Sequence, residues 1–135
     1  MAAPHLGEPE ALRGACLDRP GAVEEFPFGP QTSVFKVEGK MFALSALGGD
    51  PLELSLKCEP ELAEQLRDSY PAIREGYHLN KRHWNTATLD GSLTDEMVLG
   101  MIEDSYDLVV AGLSRAKREA LGWEPQGQNA NSSTR

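Results

Sequence analysis

The side chains best suited to chemistry are concentrated in one stretch, Tyr77-His78-Leu79-Asn80-Lys81-Arg82-His83-Trp84-Asn85-Thr86. It carries two histidines, two carboxamides, a Lys-Arg pair, an indole and a phenol, and each has a use on a polyanion. Lys81 and Arg82 can neutralise phosphates, Asn80 and Asn85 can donate to phosphate oxygens or read an adenine edge, and Tyr77, His78 and Trp84 can stack on a base. Residues 71–93 sum to +1 (Arg74, Lys81 and Arg82 against Glu75 and Asp90), whereas the 135-residue chain, with 13 basic and 21 acidic residues, carries −8. A dedicated nucleic-acid binder usually has a basic excess, so any such surface here has to be local. Lys36, Lys40 and Lys57 extend it if their hairpin lies alongside. The alternative is structural. Trp84 opens a strand and suits a core, Asn80, Asn85 and Thr86 can satisfy the backbone of a tight loop, and His78 and His83 can be hydrogen-bonded loop residues.

Other chemistries have less support. His78 and His83 are five residues apart, with no HExxH, CxxC or carboxylate triad beside them, so no metal or other cofactor is expected. There is no GxSxG and no Cys-His pair in a catalytic context, and the chain is not expected to be an enzyme. Cys58 stands just before a helix, where a thiolate gains support, but it follows an apolar strand, which favours a buried, inert thiol. Gly48-Gly49-Asp50-Pro51 lacks the lysine of a phosphate loop and reads as a turn. Asp95, Glu96, Glu103, Asp104 and Asp107 form a solvated acidic helix face, which must point away from any bound nucleic acid. The start, Met1 to Leu6, has neither a basic nor an apolar signal region. The expectation is therefore a cytoplasmic protein with no membrane contact and two free thiols, Cys16 and Cys58.

The elements that must position these residues follow from periodicity. Leu12 and Cys16 mark a short helix over 8–18, closed by Pro20-Gly21. Val23-Glu24-Glu25-Phe26-Pro27-Phe28-Gly29-Pro30 cannot be helical and reads as an extended lead-in pinned to the core by its phenylalanines. Residues 33–38 and 41–47 flank Glu38-Gly39-Lys40 as a hairpin. Leu52, Leu54 and Leu56 alternate with polar residues, giving a third strand. Pro60 and Glu61 open a helix in which Leu62, Ala63 and Leu66 face inward. Residues 72–83 read as irregular, 84–89 as a fourth strand, and 94–111 as a long helix capped by Thr94 or Ser92. Residues 115–121 supply a further helical turn. One domain over 1–121, with a disordered polar tail over 122–135, is expected. The order αβββαβα is an α+β fold, an antiparallel sheet with helices packed on one face.

Several of these segments together resemble the MmcQ/YjbR family. They are Glu24 to Pro30, Val34-Phe35-Lys36-Val37, Gly39-Lys40-Met41-Phe42-Ala43, Leu56-Lys57-Cys58 with Pro60-Glu61, Tyr77 to Thr86, and Asp104-Ser105-Tyr106-Asp107-Leu108-Val109. The resemblance spans about residues 8 to 121. It implies a frataxin-like (CyaY-like) fold and a DNA-binding role, in which strand-connecting loops approach double-stranded DNA as a double wing. Carried onto this chain, the contacts fall on Asn80, Lys81, Arg82 and His83 and on Lys36 and Lys40, with Arg74 and His78 beside them. A monomer is the expectation. A protein-interaction or scaffold domain that binds no nucleic acid is the alternative, and an enzyme using His78 or His83 on a small anion comes last.

Overall fold

The computed structural model describes residues 6–76 and 79–123. Among these residues four helices, α1 (Pro9–Leu17), α2 (Pro60–Ser69), α3 (Asp95–Ala111) and α4 (Arg115–Ala120), accompany six strands. The strands are β1 (Ala22–Glu25), β2 (Ser33–Val37), β3 (Lys40–Ser45), β4 (Leu52–Lys57), β5 (Ile73–Glu75) and β6 (Trp84–Leu89). They form one antiparallel sheet in the order β1-β2-β3-β4-β6-β5.

Register decides which side chains share a face, because opposed residues of an antiparallel pair point the same way and their neighbours point the other. Leu54, Ala87 and Ile73 stand in one row and Phe35, Ala43 and Leu56 in the next. All six are buried in the main core with Leu12 and Cys16 of α1 and Val98, Ile102, Tyr106 and Val110 of α3. Leu62 and Leu66 of α2 approach the same face over Leu54, Leu56 and Ile73. Helices α1, α2 and α3 thus cover one face of the sheet. The other face carries the alternate residues, among them Lys36, Glu53, Ser55, Lys57, Arg74, Thr86 and Thr88.

Two strands are not visible in the sequence pattern. Strand β1 reads Ala-Val-Glu-Glu and β5 reads Ile-Arg-Glu. Both are sheet edges, where short, charged segments guard against further pairing and carry little strand propensity. Phe26 and Phe28 do not anchor the lead-in: they are 49% and 66% exposed in the β1–β2 connection, because β1 itself, paired with β2, fixes that segment. Leu62 is 38% exposed, leaving Ala63 as the buried residue of α2.

The centre of the sheet contains a seam. Strands β3 and β4 are in register at Ala43↔Leu56 and Leu44↔Ser55. Beyond Leu56, the hydroxyl of Ser105 from α3 bridges the strands, donating to the Phe42 carbonyl at 2.6 Å and accepting from the Lys57 amide at 2.9 Å. At the other end the Ser45 hydroxyl reaches the Glu53 carbonyl at 2.6 Å. Tyr106, the next residue of α3, meets Phe42 edge-on at 5.5 Å between ring centroids and donates its hydroxyl proton to the Pro20 carbonyl at 2.6 Å. Ser105 and Tyr106 together fix α3 to the sheet and to the chain leading into β1.

Candidate nucleic-acid interface

The registers bring two connections to one end of the sheet. At that end Lys57 opposes Trp84, Glu75 opposes Asn85, and Val37 opposes Lys40. The β2–β3 turn and the β5–β6 loop leave the sheet there. Three strand spacings separate the midlines of these two hairpins, about 14 Å at roughly 4.8 Å per step.

Each connection has a local reason for its shape. The turn is Glu38-Gly39, with φ of 51° and 77°, the paired positive values of a two-residue hairpin that matches strand twist. It leaves Lys40 exposed as the first residue of β3. The β5–β6 loop closes over Gly76, whose amide donates to the Trp84 carbonyl at 3.0 Å. A Cβ at Gly76 would stand 2.8 Å from the Trp84 Cβ and 3.2 Å from its carbonyl oxygen, so glycine alone fits the closure. Further along, the Asn80 side chain accepts the Arg82 amide at 3.0 Å and its carbonyl accepts the His83 amide at 3.2 Å. The His83 carbonyl accepts the Cys58 amide at 2.7 Å. Asn80 therefore spends its side-chain oxygen on the turn, as asparagine does in Asx turns, and the Lys81 and Arg82 side chains project from it, exposed.

The eight residues expected at a DNA surface separate into three groups. Lys40, Asn80, Lys81, Arg82 and His83 gather at the two connections. Lys36 and Arg74 lie on the sheet face opposite the helices and are engaged: Lys36 with Glu25 at 2.9 Å, Arg74 with Glu53 at 2.6 Å and with the Thr88 hydroxyl at 2.8 Å. His78 lies outside the described residues. Among the described residues, no ion pair engages Lys40, Lys81 or Arg82. The loop cations are not in a purely positive setting, since Glu61, Glu64 and Glu75 line the same open cleft with Arg67, Lys81 and Arg82.

Trp84 is buried, at 9% exposure. Its register partner is Lys57, one step out of phase with the Leu54–Ala87 row, so it is buried on the side away from α3 and offers no stacking platform. Asn85 and Thr86 are buried as well. The Asn85 amide group donates to the Ala63 carbonyl of α2 at 3.3 Å, and Thr86 shares a 2.9 Å hydrogen bond with Ser55.

Helix α4 is an addition that sequence reasoning left without a role. Lys117 stands 3.9 Å from Glu38 of the turn, which sets α4 beside the β2–β3 hairpin. Arg115 is 85% exposed, with a loose 3.7 Å contact to Glu119. Arg118 is occupied by the carbonyls of Ala111 and Leu113. The signal was present as Arg115-Ala116-Lys117-Arg118, a basic run in an acidic chain, but its neighbour in space was not readable.

Between α2 and α3 a narrow apolar cleft of about 30 Å³ is lined by Leu56, Leu62, Leu66, Met101, Cys58 and Asp104. That is room for about one water molecule. Burial pushes the Cys58 thiol up, helped by Asp104 and Glu59, and burial pushes Cys16 up to about 12, so both thiols stay protonated at neutral pH. Burial also raises the Asp104 carboxyl, with Asp107, Glu103 and Glu59 adding repulsion. The folded state then holds this proton more tightly than the unfolded chain. The ionised form costs stability at neutral pH, and the cost fades as pH falls to the ordinary carboxylate range. Asp104→Asn is expected to raise the melting temperature at pH 7, with the gain closing near pH 4. Equal melting temperatures at pH 7 would contradict this cause.

The fold and the paired loop ends define a small α+β domain whose exposed loop cations, Lys40, Lys81 and Arg82, stand among carboxylates at one end of the sheet. The family model described as YjbR matches residues 17–108, and the chain belongs to the YjbR family. Helix α4 lies beyond the matched residues. The uncharacterised protein YjbR of Escherichia coli strain K12 is 38% identical over 106 residues, covering 78% of this chain and 90% of that protein. The uncharacterised protein YbdF of Escherichia coli O157:H7 is 36% identical over 113 residues, covering 83% and 92%. The crystal structure of the Deinococcus radiodurans protein DR2400, of domain family DUF419, superposes with a TM-score of 0.82 at 42% identity, over 88% of this chain and 91% of that one. Among the described residues, no helix is long and apolar enough to cross a membrane.

Proposed function

We propose that this domain binds double-stranded DNA through its phosphates, using the β2–β3 turn and the β5–β6 loop as paired contacts. One observation carries the reading: both connections leave the same end of the sheet, and their cations Lys40, Lys81 and Arg82 are held in no ion pair among the described residues, whereas Lys36 and Arg74 are neutralised by carboxylates. Their separation of about 14 Å is comparable with the roughly 12 Å width of the major groove. Arg115 and Lys117 of α4 extend the same surface, and their exposed ion pairs are weak enough to exchange for phosphate. The acidic residues Asp95, Glu96, Glu103, Asp104 and Asp107 belong to α3, on the helix-covered face. The carboxylates beside Lys81 and Arg82 restrict contact to the loop tip. They also favour phosphate positioning over base reading, so sequence preference is expected to be weak.

Phosphate binding has a direct signature. Three cations displacing counterions give a slope of about −3 for log affinity against log salt. Fluorescence anisotropy with a labelled duplex measures it. Absence of salt-sensitive binding at low ionic strength would rule the proposal out.

A further inference from the structure

We infer that Arg67 and Asn85 form a clamp that positions the β5–β6 loop for its partner, which makes Arg67 a positioning residue rather than a contact residue. The inference rests on the DNA-binding reading for its functional consequence and on the geometry alone for its structural one. Arg67 is half-buried in the last turn of α2. Its Nη1 donates to the Asn85 Oδ1 at 2.8 Å and, more loosely, to the Lys81 carbonyl at 3.4 Å. The other end of the Asn85 carboxamide donates to the Ala63 carbonyl of α2 at 3.3 Å. Asn85 is 7% exposed and follows Trp84, the first residue of β6, directly after the loop. One carboxamide and one guanidinium therefore tie α2, the base of β6 and the middle of the loop into a single unit.

The consequence is specific to the loop. Arg67 serves the Lys81 carbonyl and the Asn85 side-chain oxygen, so the Lys81 and Arg82 side chains are left free to project outward. A guanidinium suits this task because its fork of donors is rigid, while a lysine would offer one mobile point charge. Without the clamp the loop loses its tie to α2, and the Arg82 and His83 amide hydrogen bonds of the Asn80 turn open more readily. A binding loop that must be ordered on contact binds more weakly than one already in place.

Two variants separate the clamp from charge. Arg67→Gln removes a cation as well as the contact, whereas Asn85→Ser leaves charge unchanged. Both are expected to speed hydrogen exchange at the Arg82 and His83 amides by about tenfold, with exchange in α3 unchanged. Both are expected to weaken duplex binding by about three- to tenfold, with Asn85→Ser losing affinity despite its intact charge. If Asn85→Ser does not fold, Arg67→Gln, at a half-buried helix position, still reports loop exchange. Unchanged exchange at Arg82 and His83 in either folded variant overturns the clamp. Wild-type binding matched by an equal affinity in the variants overturns the positioning role while leaving DNA binding intact. A wild-type protein that binds no duplex overturns the functional reading and the positioning role together.

Discussion

Replacing Lys81 and Arg82 together with alanine is expected to reduce duplex affinity on the order of 10²-fold at about 50 mM salt. The magnitude follows from counterion release. Each lost phosphate contact removes about 0.9 from the salt slope, so at that ionic strength each is worth a factor of about 15. The slope should fall by about 2, and the loss should be the same on unrelated duplex sequences, because phosphate contacts carry no sequence information. The matched control is Lys36→Ala with Arg74→Ala. It removes the same formal charge, but from groups already held by Glu25 and Glu53, and also frees those two carboxylates. A smaller fall in slope than for the loop pair is expected. Equal falls would mean that binding follows net charge and not the loop.

Ser105→Ala is expected to cost about 2–4 kcal/mol of stability and to lower the melting temperature by roughly 8–15 °C. The side chain is fully buried and closes the seam between β3 and β4, serving the Phe42 carbonyl and the Lys57 amide at once. Alanine leaves both groups without that partner in a site that water reaches poorly, and an unmet buried group costs about 1–3 kcal/mol. Ser105→Thr keeps the hydroxyl but adds a methyl group to a filled interface, at a typical cost of about 1–3 kcal/mol. Thermal or denaturant unfolding measures both. A Ser105→Ala melting temperature within about 2 °C of wild type would show that the seam is held by other contacts.

Much of the scaffold was legible in the sequence because its signals are local. Leu52, Leu54 and Leu56 alternate, Thr94 caps α3 by accepting the Met97 amide at 3.1 Å, and Glu38-Gly39 marks a hairpin. Edge strands β1 and β5 escaped because they are short and charged, and edges need neither apolar alternation nor length. Phe26 and Phe28 were misplaced because apolar residues go inside as a tendency and not as a rule. The site divided along the same line. Composition pointed to residues 77–86, but it could not separate side chains that face outward from those spent on the scaffold. Asn80 closes its own turn, Trp84 is buried away from the helices, Asn85 joins α2, and Thr86 pairs with Ser55. The residues that make the segment recognisable largely build the platform, and Lys81, Arg82 and His83 are what it presents. The helical turn of α4 was legible, but its place beside Glu38, like the tie of Arg67 to Asn85, was beyond reach because such long-range neighbours follow no spacing rule.

Adding duplex DNA to the isotopically labelled full chain and mapping backbone amide shifts by NMR tests the central claim most directly. The expected result is a set of perturbations confined to residues 38–41, 79–83 and the exposed side of α4, fading as salt is raised, with the acidic face of α3 unmoved. Shifts centred on the β1 edge and Phe26 to Phe28, or no shifts at low salt, would contradict it.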